Sequence, residues 1–396
     1  MSFPRNRVAV VGVYTTEHAR SMKRSGTSLA VEALKGALDD AGLTLDQVDG
    51  IVPTVGGFAA TEVGQWAGRE PAQFWAAQLG GRVFTYTDRQ SGSLGAQRAA
   101  AAIAAGLADV VVLFHGKSNL RVGPRGTPVP ERAPRVDAWS SATWGGYMTP
   151  WYAMWARRYM HEFGATGEDL AQVGVIHRHH ATLNPASLMG SRGDITVDDV
   201  LASRPIAEPL HLLDCSLDND GGWAIVLASD RVARDCRKKP VWILSGAEGV
   251  GSDMYLTVDA PWLNQADSAV RRVGDALFAQ SDVSRDDVDV ANLYDCFSIT
   301  FLRDLEELGF CDPGEAPAYV AQGITALGGG MPCNTDGGLL SNSHCGNPTG
   351  MMTVEVVRQL RGECAERQVP DAKIGLAFSQ GNHVHGVAGG LLLAAG

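Results

Sequence analysis

The chain has 396 residues, 45% of them hydrophobic and 19% charged, with a mean hydropathy of -0.04, which excludes the composition of a disordered or membrane-embedded protein. A formal charge of -11 and a pI near 5.4 argue against a nucleic-acid partner, whose binding needs a basic surface. No apolar run approaches the roughly 20 residues that span a bilayer, and the seven cysteines, all between Cys215 and Cys364, are too dispersed for a zinc knuckle or a disulfide scaffold.

The run Val8–Val13 reads as a strand buried on both faces, too short and without the small-residue cleavage site of a secretory leader. With the reduced cysteines this makes a cytoplasmic setting the expectation. A helix follows over Ser28–Ala41, with apolar residues at helical spacing and Gly42 as its stop. Leu43–Val52 is a turn into a second strand. The same order returns as a strand at Val241–Ser245, a helix over Asp267–Phe278 and a turn and strand over Val283–Leu293, where Asp286, Val288 and Asp289 stand 240 residues after Asp46, Val48 and Asp49. A constant offset across several positions marks an internal duplication.

Each half also carries a helix dense in small residues. Ser91–Gly106 leads into a strand at Asp109–Phe114, and Asp336–Gly350 leads into a helix at Met351–Leu360 and a strand at Lys373–Phe378. Small side chains let backbones approach, so both helices are expected at the centre of a layered sandwich. The intervening segment is rich in Trp, Tyr and Met, with Trp139, Trp144, Tyr152, Trp155 and Tyr159 among them, and reads either as the wall of an apolar cleft or as core and interface. His177, His179 and His180 on its next helix read as surface or interface groups, and Gly123–Pro134 as an exposed loop.

Taken in order, Asn184-Pro-Ala186, Val200–Ser203 with Ile206–Leu210, Leu213-Asp-Cys-Ser-Leu-Asp-Asn-Asp-Gly-Gly222, Tyr294-Asp-Cys-Phe-Ser298 and Asn334-Thr-Asp-Gly-Gly-Leu-Leu340 followed by His344 resemble the thiolase superfamily. The resemblance covers essentially the whole chain and is to the sterol-carrier-protein-type branch. It implies an α/β thiolase fold, a five-layer αβαβα sandwich of two duplicated halves with an inserted loop region. The boundaries expected are residues 1–115 with about 205–236 for the first half, about 116–204 for the insertion and 237–396 for the second half. It further implies a homodimer whose site receives the pantetheine arm of CoA, with Ser341, Gly386 and Gly389 on the CoA-facing side, and no tightly bound cofactor, CoA entering as part of the substrate.

The departures narrow the chemistry. Thiolases carry a nucleophilic cysteine at the start of the first half's buried helix, whereas this chain reads Thr87-Asp-Arg-Gln-Ser-Gly-Ser-Leu-Gly95 there and has no cysteine before Cys215. Ser91 or Ser93 as a substitute lacks a nearby histidine to activate it. The branch's His-Asp-Cys-Phe signature is Tyr294-Asp-Cys-Phe297, and its Gly-His-Pro signature is Ser343-His-Cys345.

A retro-aldol cleavage needs no acyl-enzyme. It needs a base for a β-hydroxyl, donors for a thioester enolate and an acid to protonate it. Tyr294 is the candidate base, provided a neighbour stabilises its phenolate. His344 is the candidate that positions the thioester oxygen or exchanges the enolate proton. Cys296 keeps the place of the family's acid/base cysteine, with a small buried hydrophobe as the alternative. His344, Cys345, His383 and His385 have no diagnostic metal-site spacing, and none is expected.

Cysteine-less steroid side-chain aldolases of this superfamily work with a small OB-fold, zinc-ribbon partner, and the resemblance extends to them, except that His344 stands in place of a second tyrosine. The expectation is therefore a lyase that cleaves a bulky β-hydroxyacyl-CoA, such as a steroid side chain, to a ketone and a shorter acyl-CoA. A thiolase-like acyltransferase and a noncatalytic acyl-CoA or lipid-binding subunit are the alternatives.

Overall fold

A computed structural model describes residues 7–53, 71–88, 92–118, 148–251, 268–345, 348–380 and 386–396. The β-branched run at the start forms β1 (Val8–Thr15), and Ser25 caps the helix Gly26–Ala41 by accepting from the Ser28 N–H. Gly42, at φ 74°, closes that helix in the left-handed conformation. The remaining strands are β2 (Gly50–Pro53), β3 (Tyr86–Thr87), β4 (Val110–Lys117), β5 (Pro205–Ala207), β6 (Leu210–His211), β7 (Gly221–Ser229), β8 (Val241–Val250), β9 (Val290–Leu293), β10 (Ile374–Gln380) and β11 (Val387–Ala395).

Nine strands form one sheet in the order β3-β2-β4-β7-β1-β8-β11-β10-β9, and β5 and β6 make a separate ribbon. The sheet is two mirrored halves joined where β1 meets β8, with Ala9 opposite Trp242 and Val10 opposite Val241. Outward from this seam each half runs antiparallel, antiparallel, then parallel: β1-β7-β4-β2 on one side and β8-β11-β10-β9 on the other.

The 240-residue offset has a physical counterpart. Asp49 accepts from the N–H groups of Asp109 and Val110 at 2.7 and 3.0 Å, and Asp289 accepts from those of Lys373 and Ile374 at 2.7 and 2.8 Å. The same carboxylate ties the same strand pair together twice. The duplicated thiolase sandwich expected from the sequence is therefore present.

Helices Gly92–Ala104 and Thr349–Arg361 pack against each other and against strands of both halves, forming the central layer. Gly26–Ala41 covers the first half from outside and Ala269–Ala279 the second. Three apolar clusters fill the spaces between these layers. Close approach requires Gly12, since a Cβ there would land on the Ala37 carbonyl of the outer helix.

The aromatic segment resolves toward core. Tyr152, Trp155 and Tyr159, on the helix Met148–Phe163, are buried against the helix Ser298–Glu307. Trp139, Trp144 and the loop 123–134 lie outside the described residues. One expectation is corrected: His177 and His180 are fully buried, and only His179 is exposed. Helix Gly167–Thr182 turns residues 177 and 180 toward the second half, because they sit three apart on one face.

Candidate active site

Tyr294 follows the last residue of β9, at the C-terminal end of the strand, where α/β sheets place reactive groups. Asn334 holds this end: its side chain accepts from the Leu293 N–H at 2.7 Å and donates to the Leu293 carbonyl at 2.8 Å. Facing Tyr294 is His344, with ring centroids 6.5 Å apart in an edge-on arrangement. Both rings are half-buried, so the pair borders solvent.

The motifs quoted from distant parts of the sequence are hydrogen-bonded around this pair. The Asp295 carboxylate accepts from the Leu339 N–H at 2.8 Å and from His177 Nδ1 at 2.8 Å, joining three segments. Gly338, at φ 61°, must be glycine because a Cβ would strike Asp295. The Ser216 N–H donates to the Cys296 carbonyl, and the Leu217 N–H to the Leu339 carbonyl. Asp214 accepts from the Ser298 hydroxyl at 2.8 Å. Asn184 donates to the Asp336 carbonyl at 3.0 Å, and Asp336 in turn accepts from Asn342 at 2.7 Å.

His344 itself is held by Asn219, whose side-chain oxygen accepts its backbone N–H at 2.8 Å. The Leu217 carbonyl accepts from the imidazole, while Nε2 is buried without a hydrogen-bond partner. Burial first and the Lys117 charge second lower the imidazole from 6.5 to about 4, so it is neutral at physiological pH.

Tyr294 lies in the opposite environment. Burial, the Cys296 thiol beside it and the carboxylates of Asp295 and Asp304 raise its phenol well above 10. Among the described residues, the groups that act most strongly on it include no cation of the kind a phenolate base requires. Cys296 is also pushed up, chiefly by burial, and its surroundings are hydroxyls, those of Tyr152, Thr300 and Tyr294. It is a thiol at neutral pH.

The CoA-facing candidates are more dispersed. Ser341 is buried, and its hydroxyl accepts from Arg178 Nε at 3.1 Å. Gly389 lies in β11, where a Cβ would strike Leu94 of the central helix, and Gly386, at φ 62°, precedes that strand. Ser91, the Ser93 side chain, His383 and His385 lie outside the described residues. Among the described residues no group of three or more His, Cys, Asp and Glu side chains is arranged to hold a metal ion.

Sequence reasoning missed Asp295 and Asn219 as site residues, although both stood inside quoted motifs. It also ended β4 at Phe114, three residues early, and so passed over His115 and Lys117. The signal was a histidine and a lysine prolonging an otherwise apolar strand.

The mirrored sheet, central helix pair and strand-end site define a thiolase-fold protein without the thiolase nucleophile. Residues 253–391 match the family model described as thiolase C-terminal domain-like. A steroid side-chain-cleaving aldolase of Thermomonospora curvata is 38% identical over 373 residues, 91% of this chain and 92% of that protein. A 17-hydroxy-3-oxo-4-pregnene-20-carboxyl-CoA lyase of Mycobacterium tuberculosis is 39% identical over 367 residues, 90% and 92% of the two chains. Among solved structures, an Ltp2-ChsH2(DUF35) aldolase is similar with a TM-score of 0.82 and 34% identity, over 100% of this chain and 99% of that one. The chain belongs to the thiolase superfamily, in the branch that holds the steroid side-chain-cleaving aldolases.

Proposed function

We propose that the protein is a lyase acting on CoA thioesters, cleaving a bulky β-hydroxyacyl-CoA by a retro-aldol reaction to a ketone and a shorter acyl-CoA, with a steroid side chain as substrate. The observation that carries this reading is the Tyr294–His344 pair at a site whose sequence lacks the thiolase nucleophile.

The environments of the two rings favour the reverse of the roles expected from sequence. His344 is neutral, and its Nε2, which has no hydrogen-bond partner among the described residues, is the proposed proton acceptor. In the proposed reaction Nε2 takes the proton of the β-hydroxyl and the Cα–Cβ bond breaks. The oxygen becomes the ketone carbonyl, and the bonding electrons pass into the thioester enolate. Tyr294, kept protonated, gives its proton to Cα, and the imidazolium then returns the first proton to the tyrosine. No proton is gained or lost over the cycle. Cys296 stays a neutral thiol that hydrogen-bonds Tyr294. Ser341, Gly386 and Gly389 remain the proposed CoA-facing positions, and CoA enters as substrate with no tightly bound cofactor.

The similarity to the Ltp2-ChsH2(DUF35) aldolase supports a heteromer, whose second member is read as a small OB-fold, zinc-ribbon protein, with a homodimer of this chain as the proposed core. No described helix is long and apolar enough to cross a membrane, and the cytoplasm is the proposed location. The test supplies β-hydroxyacyl-CoA to the protein with and without the partner. Ketone and shorter acyl-CoA in equal amounts support the lyase. Consumption of β-ketoacyl-CoA with free CoA instead supports the acyltransferase reading, to which the 32% identity with an acetyl-CoA acetyltransferase of Methanothermobacter thermautotrophicus gives some weight. Ligand binding with neither reaction supports a noncatalytic subunit.

A further inference from the structure

His344 belongs to the second half, yet much of what grips its segment comes from the first. Strand β4 presents His115 and Lys117 two residues apart, on the same face. His115 Nε2 donates to the Cys345 carbonyl at 2.8 Å. Asn219, just before β7, accepts from the His344 N–H at 2.8 Å and donates to the Ser343 hydroxyl at 2.8 Å. Beside Asn219 stands Asp218, which is ion-paired with Lys117.

Lys117 is the unusual member. Its side chain is 3% exposed, whereas that of Asp218 is 65% exposed, so the cation is inside and its counter-ion faces water. A buried ammonium is costly unless it is paired, and an exposed carboxylate screened by solvent offsets it only in part. The residual positive charge acts on His344, His115 and Cys345.

We propose that Lys117, with its Asp218 counter-ion, is a positioning residue of the active site, a positive charge that the first half places against the His344 imidazole. This deepens the lyase reading and rests on it. Among the described residues, the other charged or titratable groups acting on His344 include Asp218 from the loop before β7 and Asp295 and Tyr294 from the end of β9, with His115 on β4. Both carboxylates favour the imidazolium, and Lys117 opposes them. The consequence is kinetic. A proton taken from the β-hydroxyl is held briefly, because the imidazolium beside Lys117 is a stronger acid than a free imidazolium and returns it within the same turnover.

The test follows the His344 imidazole by NMR in histidine-labelled protein, with His344→Gln used only to assign its signal. In Lys117→Met the titration midpoint moves up by about one pH unit, the size expected when a like charge is removed, and the acid limb of kcat/KM moves with it. In Lys117→Arg both stay near the wild-type values. In Asp218→Asn, an exposed substitution expected to fold, both move down. An unchanged midpoint in Lys117→Met, or in Asp218→Asn should the first variant not fold, overturns the inference, as does movement of both variants in the same direction. Because the titration is read without substrate, a wild-type protein that shows these shifts but releases no ketone defeats the lyase reading and leaves the placement of the charge standing.

Discussion

Tyr294 and His344 differ from an arbitrary aromatic pair in the opposite ways their surroundings act on them. Burial and acidic neighbours keep the proton on the phenol, while burial and Lys117 keep it off the imidazole. Tyr294→Phe and His344→Gln are each expected to lower kcat by about 10²–10⁴-fold with the fold intact, checked by steady-state ketone release alongside circular dichroism. For wild type, activity is lost as pH falls through about 4, where His344 takes up a proton in the free enzyme. Cys296, being a buried thiol, is expected to tolerate Cys296→Ser with less than about a tenfold loss, roughly 1.4 kcal/mol in the barrier. A loss as deep as that of His344→Gln assigns the sulfur a direct part in proton transfer.

At the scale of elements, the duplication makes a quantitative claim. Asp49 and Asp289 tie equivalent strand pairs through two N–H groups each, so Asp49→Ala and Asp289→Ala should destabilise by similar amounts, about 1–3 kcal/mol. The double variant is expected to be near the sum, because the sites are independent. Urea denaturation of the three variants checks this, and a large effect at one site with none at the other contradicts the equivalence. These elements were legible in sequence because each rests on local pattern: strand runs, helical spacing, a repeated turn with its aspartate. The small-residue helices were legible for the same reason. Contacts that bring residues 115–117, 177 and 219 to the site were not, since they join positions more than 100 residues apart in sequence to residues 295 and 344, and no periodicity encodes such a pairing. His177 illustrates the gap. A run of histidines on a helix reads as polar surface until the partner, Asp295, is known to lie beneath it.

For the whole molecule, four histidines, three of them buried and His344 half-buried, couple folding to pH. His18, His115 and His344 are lowered to about 4 and His180 to about 3, in each case chiefly by burial. In the unfolded chain they titrate near 6.5. Between those values the unfolded state binds more protons than the folded one, so stability is full above about pH 6.5 and falls as pH drops toward 4. Thermal melts across that window are expected to show Tm decreasing with acidity, and a flat Tm contradicts neutral burial of these rings. The same architecture carries the main claim. Two halves enclose a site whose sequence lacks the thiolase nucleophile, and the proposed chemistry runs between a neutral imidazole and a protonated phenol. The most direct measurement combines intact-protein mass spectrometry with product analysis during turnover of a β-hydroxyacyl-CoA, before and after thiol alkylation. The expected result is ketone plus shorter acyl-CoA, no acyl adduct on the protein, and activity that survives alkylation. An acyl-enzyme mass, or thiolysis abolished by alkylation, contradicts it.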